Sequence, residues 1–278
     1  MSRALPDPII TLTTDFGLAD QYVAAVRGVI LGINRRATIV DVSHGVQPQR
    51  ILQAVFLTQA AWPLFPTDAI HVAVVDPGVG TDRRALVVVT PQGRFVGPDN
   101  GVLSAALPED ARPSPERGLA AAALPAGYQA FAITNRRYMR EQVSATFHGR
   151  DVFAPAAAHL SLDVPAKELG EPVEEILAFP PLRARRCSDG TLQAQVVHID
   201  NYGNLVTDAR AEDLPSGAFT VELAAESVRG PVRTYAEATG LAALVESTGY
   251  LAVVLPGGDA AKRLGVQIGD VAVVRPGT

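Results

Sequence analysis

Acidic and basic side chains recur in this chain at the ends of apolar runs, where a folded sheet would expose them. In VAVVDPGVGTDRR, residues 72–84, the β-branched run Val72, Val74, Val75 reads as a buried strand that delivers Asp76 to its end, and Pro77-Gly78-Val79-Gly80 then turns the backbone. The crevice beyond the carboxyl ends of the strands is where open α/β sheets bind ligands, so Asp76 with Arg83 and Arg84 close behind it is a candidate site. Asp-Pro-Gly is also ordinary turn chemistry, and an arginine pair is often a solvated corner. Asp15 follows a second strand-like run, IITLTT, and Asp99 and Asn100 follow a third. His148 in TFHGRD precedes a helical pattern that runs through Leu160, a place that favours negative charge. Asp15, Asp76, Asp99, Asn100 and His148 could therefore all face one crevice, although each alone is an ordinary cap or turn residue. His44, His148 and several Asp could instead gather a metal, although none has ligand spacing. There is no GxSxG, HExxH or Walker sequence, and the GxG of PGVGT lacks the rest of a dinucleotide fingerprint.

The elements that would position these groups fall into two textures. Strand patterns at Ile9 to Thr14, Thr38 to Val42, around Val72 and at Ala85 to Thr90 alternate with helical patterns at Asp20 to Ile33 and Gln49 to Ala61, which is β-α-β construction. A short strand within 93–104 and another at Ala130 to Thr134 complete this half. Residues 106–128, rich in Ala and Pro, read as a surface segment. After a Pro- and Arg-rich connector, short strands separated by turn residues follow: LQAQVVHID, NLVTDA, FTVELA, VRTY, YLAVVLP and VAVVRP. The expected architecture is an α/β domain over 1–178 with a central, largely parallel sheet, then a smaller antiparallel barrel-like β domain over 179–278. The β domain contributes two polar loops, Asp200-Asn201-Tyr202-Gly203-Asn204 and Glu246-Ser247-Thr248-Gly249-Tyr250.

Composition narrows the partners. Of 278 residues 47% are hydrophobic and 19% charged, and the net charge of −5 argues against a nucleic-acid surface and leaves no polybasic membrane patch. A small molecule is the favoured partner. Cys187 is the only cysteine, which excludes an intrachain disulfide and fits a reducing cytoplasm. The beginning MSRALPDPIITLTTDFG has no long apolar core, and no window approaches about 18 apolar residues, so neither export nor membrane insertion is expected.

Taken together, TTDFG at 13–17, VVDPGVGTDR at 74–83, PDNGVL at 98–103, TFHGRD at 146–151, IDNYGN at 199–204 and STGYL at 247–251 resemble the S-adenosyl-L-methionine hydroxide adenosyltransferases, relatives of the fluorinating and chlorinating enzymes that act on the same substrate. The resemblance covers nearly the whole chain. It implies hydrolysis of S-adenosyl-L-methionine to adenosine and methionine without cofactor or metal, in a homotrimer with sites between subunits. It matches Asp76, Arg83 and His148 to the family's catalytic Asp-Arg-His set and Asp15 to the carboxylate that accepts both ribose hydroxyls. Asp20 and Asp200 match acids near the methionine ammonium, Asn204 a residue at the adenine, Phe147 and Tyr202 aromatics lining the nucleoside, and Ser247 a ligand of the methionine carboxylate. Asn100 is a further binding candidate from its place beside the sheet. Thr248 stands where the fluorinating relatives carry Arg, Tyr22 where they carry a small hydroxyl residue, Asp76 where they have Tyr, and Gly149 where they have Ser. A protein that binds S-adenosyl-L-methionine or a nucleoside without turnover is the competing expectation, and a metal-dependent hydrolase a third.

Overall fold

The structure is a computed structural model that describes residues 7–277. It divides into two compact units between Pro181 and Leu182.

The first unit is built on a seven-stranded sheet in the order β2-β1-β3-β5-β4-β7-β8. Its strands are β1 (Ile9–Thr14), β2 (Thr38–Ser43), β3 (Ile70–Val74), β4 (Ala85–Thr90), β5 (Gly93–Pro98), β7 (Gln129–Ala132) and β8 (Pro172–Val173), while β6 (Ala120–Ala123) and β9 (Glu175–Ala178) pair separately. From β2 to β5 the pairing is parallel; from β5 to β8 it is antiparallel. This mixture decides where chemistry can gather. The parallel strands end together, so the residues after Thr14, Ser43, Val74 and Pro98 share one edge. Because β4 runs the other way, with Ala85 opposite Pro98, its beginning lies at that same edge and brings Arg83 and Arg84 there. β7 runs against β4 and ends there too, with the Ile133 N–H donating to the Ala85 carbonyl at 2.7 Å.

Both faces of the sheet are covered. Val72 and Val74 turn to one face with Ile10 and Leu12, under α1 (Tyr22–Ile33) and α3 (Ala154–Leu160). Ala73 and Val75 turn to the other with Val88 and Phe95, beneath α2 (Ile51–Ala61) and the 3-10 turn at Val102–Ala106. Period-2 alternation of this kind, apolar on both sides, makes a three-layer α/β core. Helix α1 begins at Tyr22 rather than Asp20, and α2 at Ile51 rather than Gln49, whose φ of 67° is left-handed and lies outside any helix. The Ala-rich segment is not a mere surface loop. β6 pairs in register with β9, and Arg112, 9% exposed, donates two hydrogen bonds to the Leu107 carbonyl. Alanines carry little periodic signal because they fit either face of any element.

The second unit is an antiparallel sheet in the order β14-β13-β17-β11-β12-β16-β15, with β10 (Arg185–Arg186) on β11. Its strands are β11 (Leu192–Ile199), β12 (Leu205–Arg210), β13 (Phe219–Leu223), β14 (Glu226–Gly230), β15 (Ala242–Val245), β16 (Tyr250–Val254) and β17 (Val271–Pro276). The two ends of the path approach one another: just past β14, the Val232 N–H donates to Ala243 on β15 at 2.9 Å. The sheet is thus a nearly closed barrel, which removes exposed edges. Leu192, Ala194, Val196, Val221, Leu251, Val253 and Val274 fill it, and α4 (Ala260–Leu264), capped by Asp259 accepting the Lys262 N–H at 2.8 Å, closes one end. Among the described residues no helix is long and apolar enough to cross a membrane.

Candidate active site

At the common edge of the first sheet lies a crevice of about 350 Å³ lined by Asp15, Phe16, Gln49, Asp76, Phe147 and His148, with Pro48, Val74, Pro77, Val79, Thr146 and Gly149 between them. Asp76 leaves β3 after the buried Val75, and the following loop folds on itself through Val79 N–H to Asp76 carbonyl (3.2 Å) and Thr81 Oγ1 to Gly78 carbonyl (2.7 Å). Gly80 is required there. Its φ is 80°, and a Cβ would sit 2.5 Å from the Ala145 carbonyl oxygen. This tight turn carries Arg83 back over Asp76.

Arg83 grips Asp76 with its guanidinium fork. Its Nε donates to Oδ1 at 3.0 Å and its Nη2 to Oδ2, with side chains only 9% and 6% exposed. The same Nη2 contacts His148 Nδ1 at 2.7 Å. A guanidinium can only donate, so Nδ1 accepts, and the proton of the neutral ring is on Nε2. Burial and then the Arg83 charge hold the His148 pKa below its ordinary value, against the opposing pull of Asp76 and Asp151. The face of Phe153 lies 5.4 Å from the Arg83 guanidinium carbon.

His148 does not precede an ordinary α-helix. A π-helical turn, Gly149–Phe153, comes between it and α3. Such turns recur at functional sites because the extra residue re-aims side chains. Asp151 within it is fully buried and anchors the loop, accepting from Arg140, Arg150 and the Ser144 N–H. Burial alone would raise its pKa; the donors from Arg150, Ser144 and Arg140 outweigh that and hold it at about 2. Phe147 packs edge-on to Phe16 and Tyr22, centroids 5.7 and 5.2 Å away, and Gly149 leaves room that a Cβ would narrow to 3.0 Å from Phe16. Asp15 Oδ2 accepts the Gln49 N–H at 3.0 Å.

Other candidates fall elsewhere. Asn100 donates to the Val75 carbonyl at 2.9 Å and accepts from the Val102 N–H, so it braces the end of the Asp76 strand and does not line the crevice. Asp99 pairs with Arg84 and accepts the Leu177 N–H, which is a structural task. Asp20 is exposed in the bend before α1 and does not line the crevice. Among the described residues no three His, Cys, Asp or Glu side chains gather as a metal set.

The β unit has its own cavity of about 500 Å³, lined by Tyr202, Asn204, Tyr235, Leu255, Pro256, Gly257 and Gly258. Asp200 shapes its rim. Its Oδ1 accepts the Tyr202 and Asn204 N–H groups, both at 2.9 Å, and its Oδ2 the Asn204 side-chain amide at 2.7 Å. Ser247 is exposed in the turn after β15, outside that lining, and neighbouring Thr248 donates to Glu246. Burial, with Asp200 adding repulsion, raises the Glu246 pKa against the hydrogen bonds of Thr248 and Ser247. No motif points to Gln49, Tyr235 or Leu255 to Gly258 as cavity residues. Gln49 contributes only its main chain to Asp15, and the others lie far along the chain from Asn204 and bear no distinctive motif.

Comparison with known proteins identifies the family. The family description for the SAM hydroxide adenosyltransferase N-terminal domain matches residues 10–170, and that for the C-terminal domain residues 194–273. An (R)-S-adenosyl-L-methionine hydrolase of Salinispora tropica is 40% identical, covering 95% of this chain and 97% of its own. Another of that name from Thermus thermophilus is 38% identical over 92% and 95%. The crystal structure of an uncharacterized conserved protein from Thermotoga maritima superposes with a TM-score of 0.82 at 28% identity, covering 96% of this chain and all of that one. The chain belongs to the S-adenosyl-L-methionine hydroxide adenosyltransferase family.

Proposed function

We propose that this protein hydrolyses S-adenosyl-L-methionine to adenosine and L-methionine, with water-derived hydroxide attacking the ribose 5′ carbon. The interlocked Asp76, Arg83 and His148 at the mouth of the sheet carry the reading, since binding alone needs no such set. The hydrolase relatives at 38–40% identity support it. The sulfonium is a good leaving group, so the task is to align and activate water opposite sulfur. Asp76 keeps lone pairs beyond the two that Arg83 occupies, and they take the proton of the attacking water. Arg83 stabilises the developing hydroxide, and His148 Nε2–H orients it. The oxygen–C5′ bond forms as the C5′–sulfur bond breaks with its electron pair going to sulfur; the proton passes from Asp76 to solvent.

Asp15 receives the ribose hydroxyls, Phe147 and Tyr202 the faces of the nucleoside, and Asn204 the adenine edge in this reading. Asp20, Asp200 and Ser247 serve the methionine moiety, and Asn100 supports the Asp76 strand. The protein works as a cytoplasmic homotrimer with sites between subunits; an active monomer in light scattering would refute that assembly. Incubating pure protein with substrate and resolving the products by chromatography tests the reaction. Equimolar adenosine and methionine are expected, and unchanged substrate would leave a binding protein.

A further inference from the structure

The loop that carries Asp15 is anchored on both sides of the carboxylate to one buried residue outside the Asp76 set, by its side chain on one side and its main chain on the other. His44 is 6% exposed and follows β2 directly. Its Nδ1 lies 2.7 Å from Thr14 Oγ1, and its carbonyl accepts the Gly17 N–H at 2.8 Å. Thr14 Oγ1 in turn accepts the Phe16 N–H at 3.3 Å. The residue before Asp15 and the two after it all lead to His44.

A bulge in the β1–β2 ladder creates this placement. Leu12 pairs with Asp41, but Thr13 pairs with Ser43, so Val42 is passed over and the chain beyond it advances by one residue. A bulge re-aims the side chains that follow, and here it sets His44 instead of Ser43 alongside Thr14. A carboxylate faces the far side of the ring. Nε2 is 3.0 Å from Asp41 Oδ1, a close contact that is not an aligned hydrogen bond, and Asp41 is ion-paired with Arg27 on α1. Since a carboxylate only accepts, the ring proton belongs on Nε2, and Nδ1 accepts from the Thr14 hydroxyl. That directs the Thr14 lone pairs toward Phe16. From the opposite side Gln49, in its left-handed conformation, donates its N–H to Asp15.

We infer that His44 is a positioning residue for substrate recognition: through Thr14 and Gly17 it holds Asp15 in the orientation that tells a ribose from a 2′-deoxyribose. The inference rests on the reading of Asp15 as the ribose ligand, and it deepens that reading by assigning a residue that sets its geometry.

The test compares kcat/KM for S-adenosyl-L-methionine and its 2′-deoxy analogue in the wild type, Asp15→Asn, His44→Ala, His44→Asn and Thr14→Val. A ratio of two substrates on one variant is independent of how much protein is folded. His44→Ala is expected to cut the preference for ribose by roughly ten- to a hundredfold, chiefly through KM, as for a ligand displaced by a fraction of an ångström to an ångström. His44→Asn, whose side-chain oxygen can accept from Thr14, restores most of it, and Thr14→Val reproduces the loss even if His44→Ala fails to fold. Equal losses for both substrates in His44→Ala and Thr14→Val would make the histidine a structural residue only and overturn the proposal. If Asp15→Asn keeps the wild-type preference, the ribose reading itself fails. If Asp15→Asn abolishes the preference while His44→Ala and Thr14→Val retain it, the His44 assignment alone fails.

Discussion

In the α/β unit Asp76, Arg83 and His148 spend hydrogen bonds on one another, whereas in the β unit Asp200 spends its own on the main chain and side chain around Tyr202 and Asn204. The first arrangement holds charges that would otherwise move, in a crevice where a small shift in water structure changes their effect. The second leaves a mostly apolar wall of Tyr202, Tyr235, Leu255 and Pro256 beside the Asn204 amide. Fixed charge suits a reaction in which charge develops at an oxygen, and an apolar wall suits a flat heterocycle held throughout the reaction. In the proposed reaction this difference puts bond-making at the Asp76 set and adenine recognition in the β unit, with the ribose taken by Asp15 beside the reacting groups.

The largest expected effects would break this division outright. Asp76→Ala should lower kcat by roughly 10²-fold or more with KM little changed, because it removes a proton acceptor used only as the bond forms. Arg83→Lys should fall nearly as far, since an ammonium cannot hold both Asp76 oxygens and His148 as the fork does. Asn204→Ala and Tyr202→Ala should instead raise KM about tenfold or more while leaving kcat within a few-fold. Steady-state kinetics on the four variants decide it. A kcat effect from Asn204 as large as that from Asp76 would show that the β unit takes part in the chemistry.

Two buried carboxylates, one from each unit, also sit in opposite electrostatic settings. Asp151 is ringed by Arg140, Arg150 and an N–H, with its pKa at about 2; Asp208, on β12, has the Gln195 N–H at 2.8 Å, and burial lifts it to about 6. A depressed folded pKa gives stability present above the unfolded carboxylate value and lost as pH falls through about 2. A raised one gives stability present below the unfolded value and lost as pH rises through about 6. Asp151→Asn should therefore cost about 2 kcal/mol at pH 7, roughly 4–8 °C in melting temperature, by weakening charge-assisted bonds. Asp208→Asn keeps the acceptor and drops the buried charge, so it should raise the melting temperature by a few degrees at pH 7.5 and change it little at pH 4.5. Melting curves read by circular dichroism at both pH values check the pair. Stabilisation by Asp208→Asn that is equal at the two pH values would mean that the charge is not its cause.

The carboxylates of the crevice were legible because β-branched runs announce strands and Asp15 and Asp76 terminate them. Arg83 was legible by proximity. That His148 reaches Arg83 was not, since the contact spans 65 positions and depends on β4 running against β5 and β7 against β4. No local pattern encodes that pairing, and family resemblance supplied the grouping instead. The helix expected at His148 is a π-turn because buried Asp151 draws Arg140, Arg150 and Ser144 around it, a tertiary demand that outweighs helical periodicity. The β-unit cavity was the least readable, for Tyr235 and Leu255 to Gly258 have no chemistry of their own and matter only through the surface they enclose.

Isotope placement tests water attack at the ribose most directly. Turnover in water enriched in oxygen-18, followed by mass spectrometry of both products, should put one labelled oxygen in the 5′ hydroxyl of adenosine and none in methionine. Adenosine without label, or a 5′-halo-5′-deoxyadenosine formed in preference to adenosine when halide is supplied, would contradict the assignment of Asp76, Arg83 and His148 as a water-activating set.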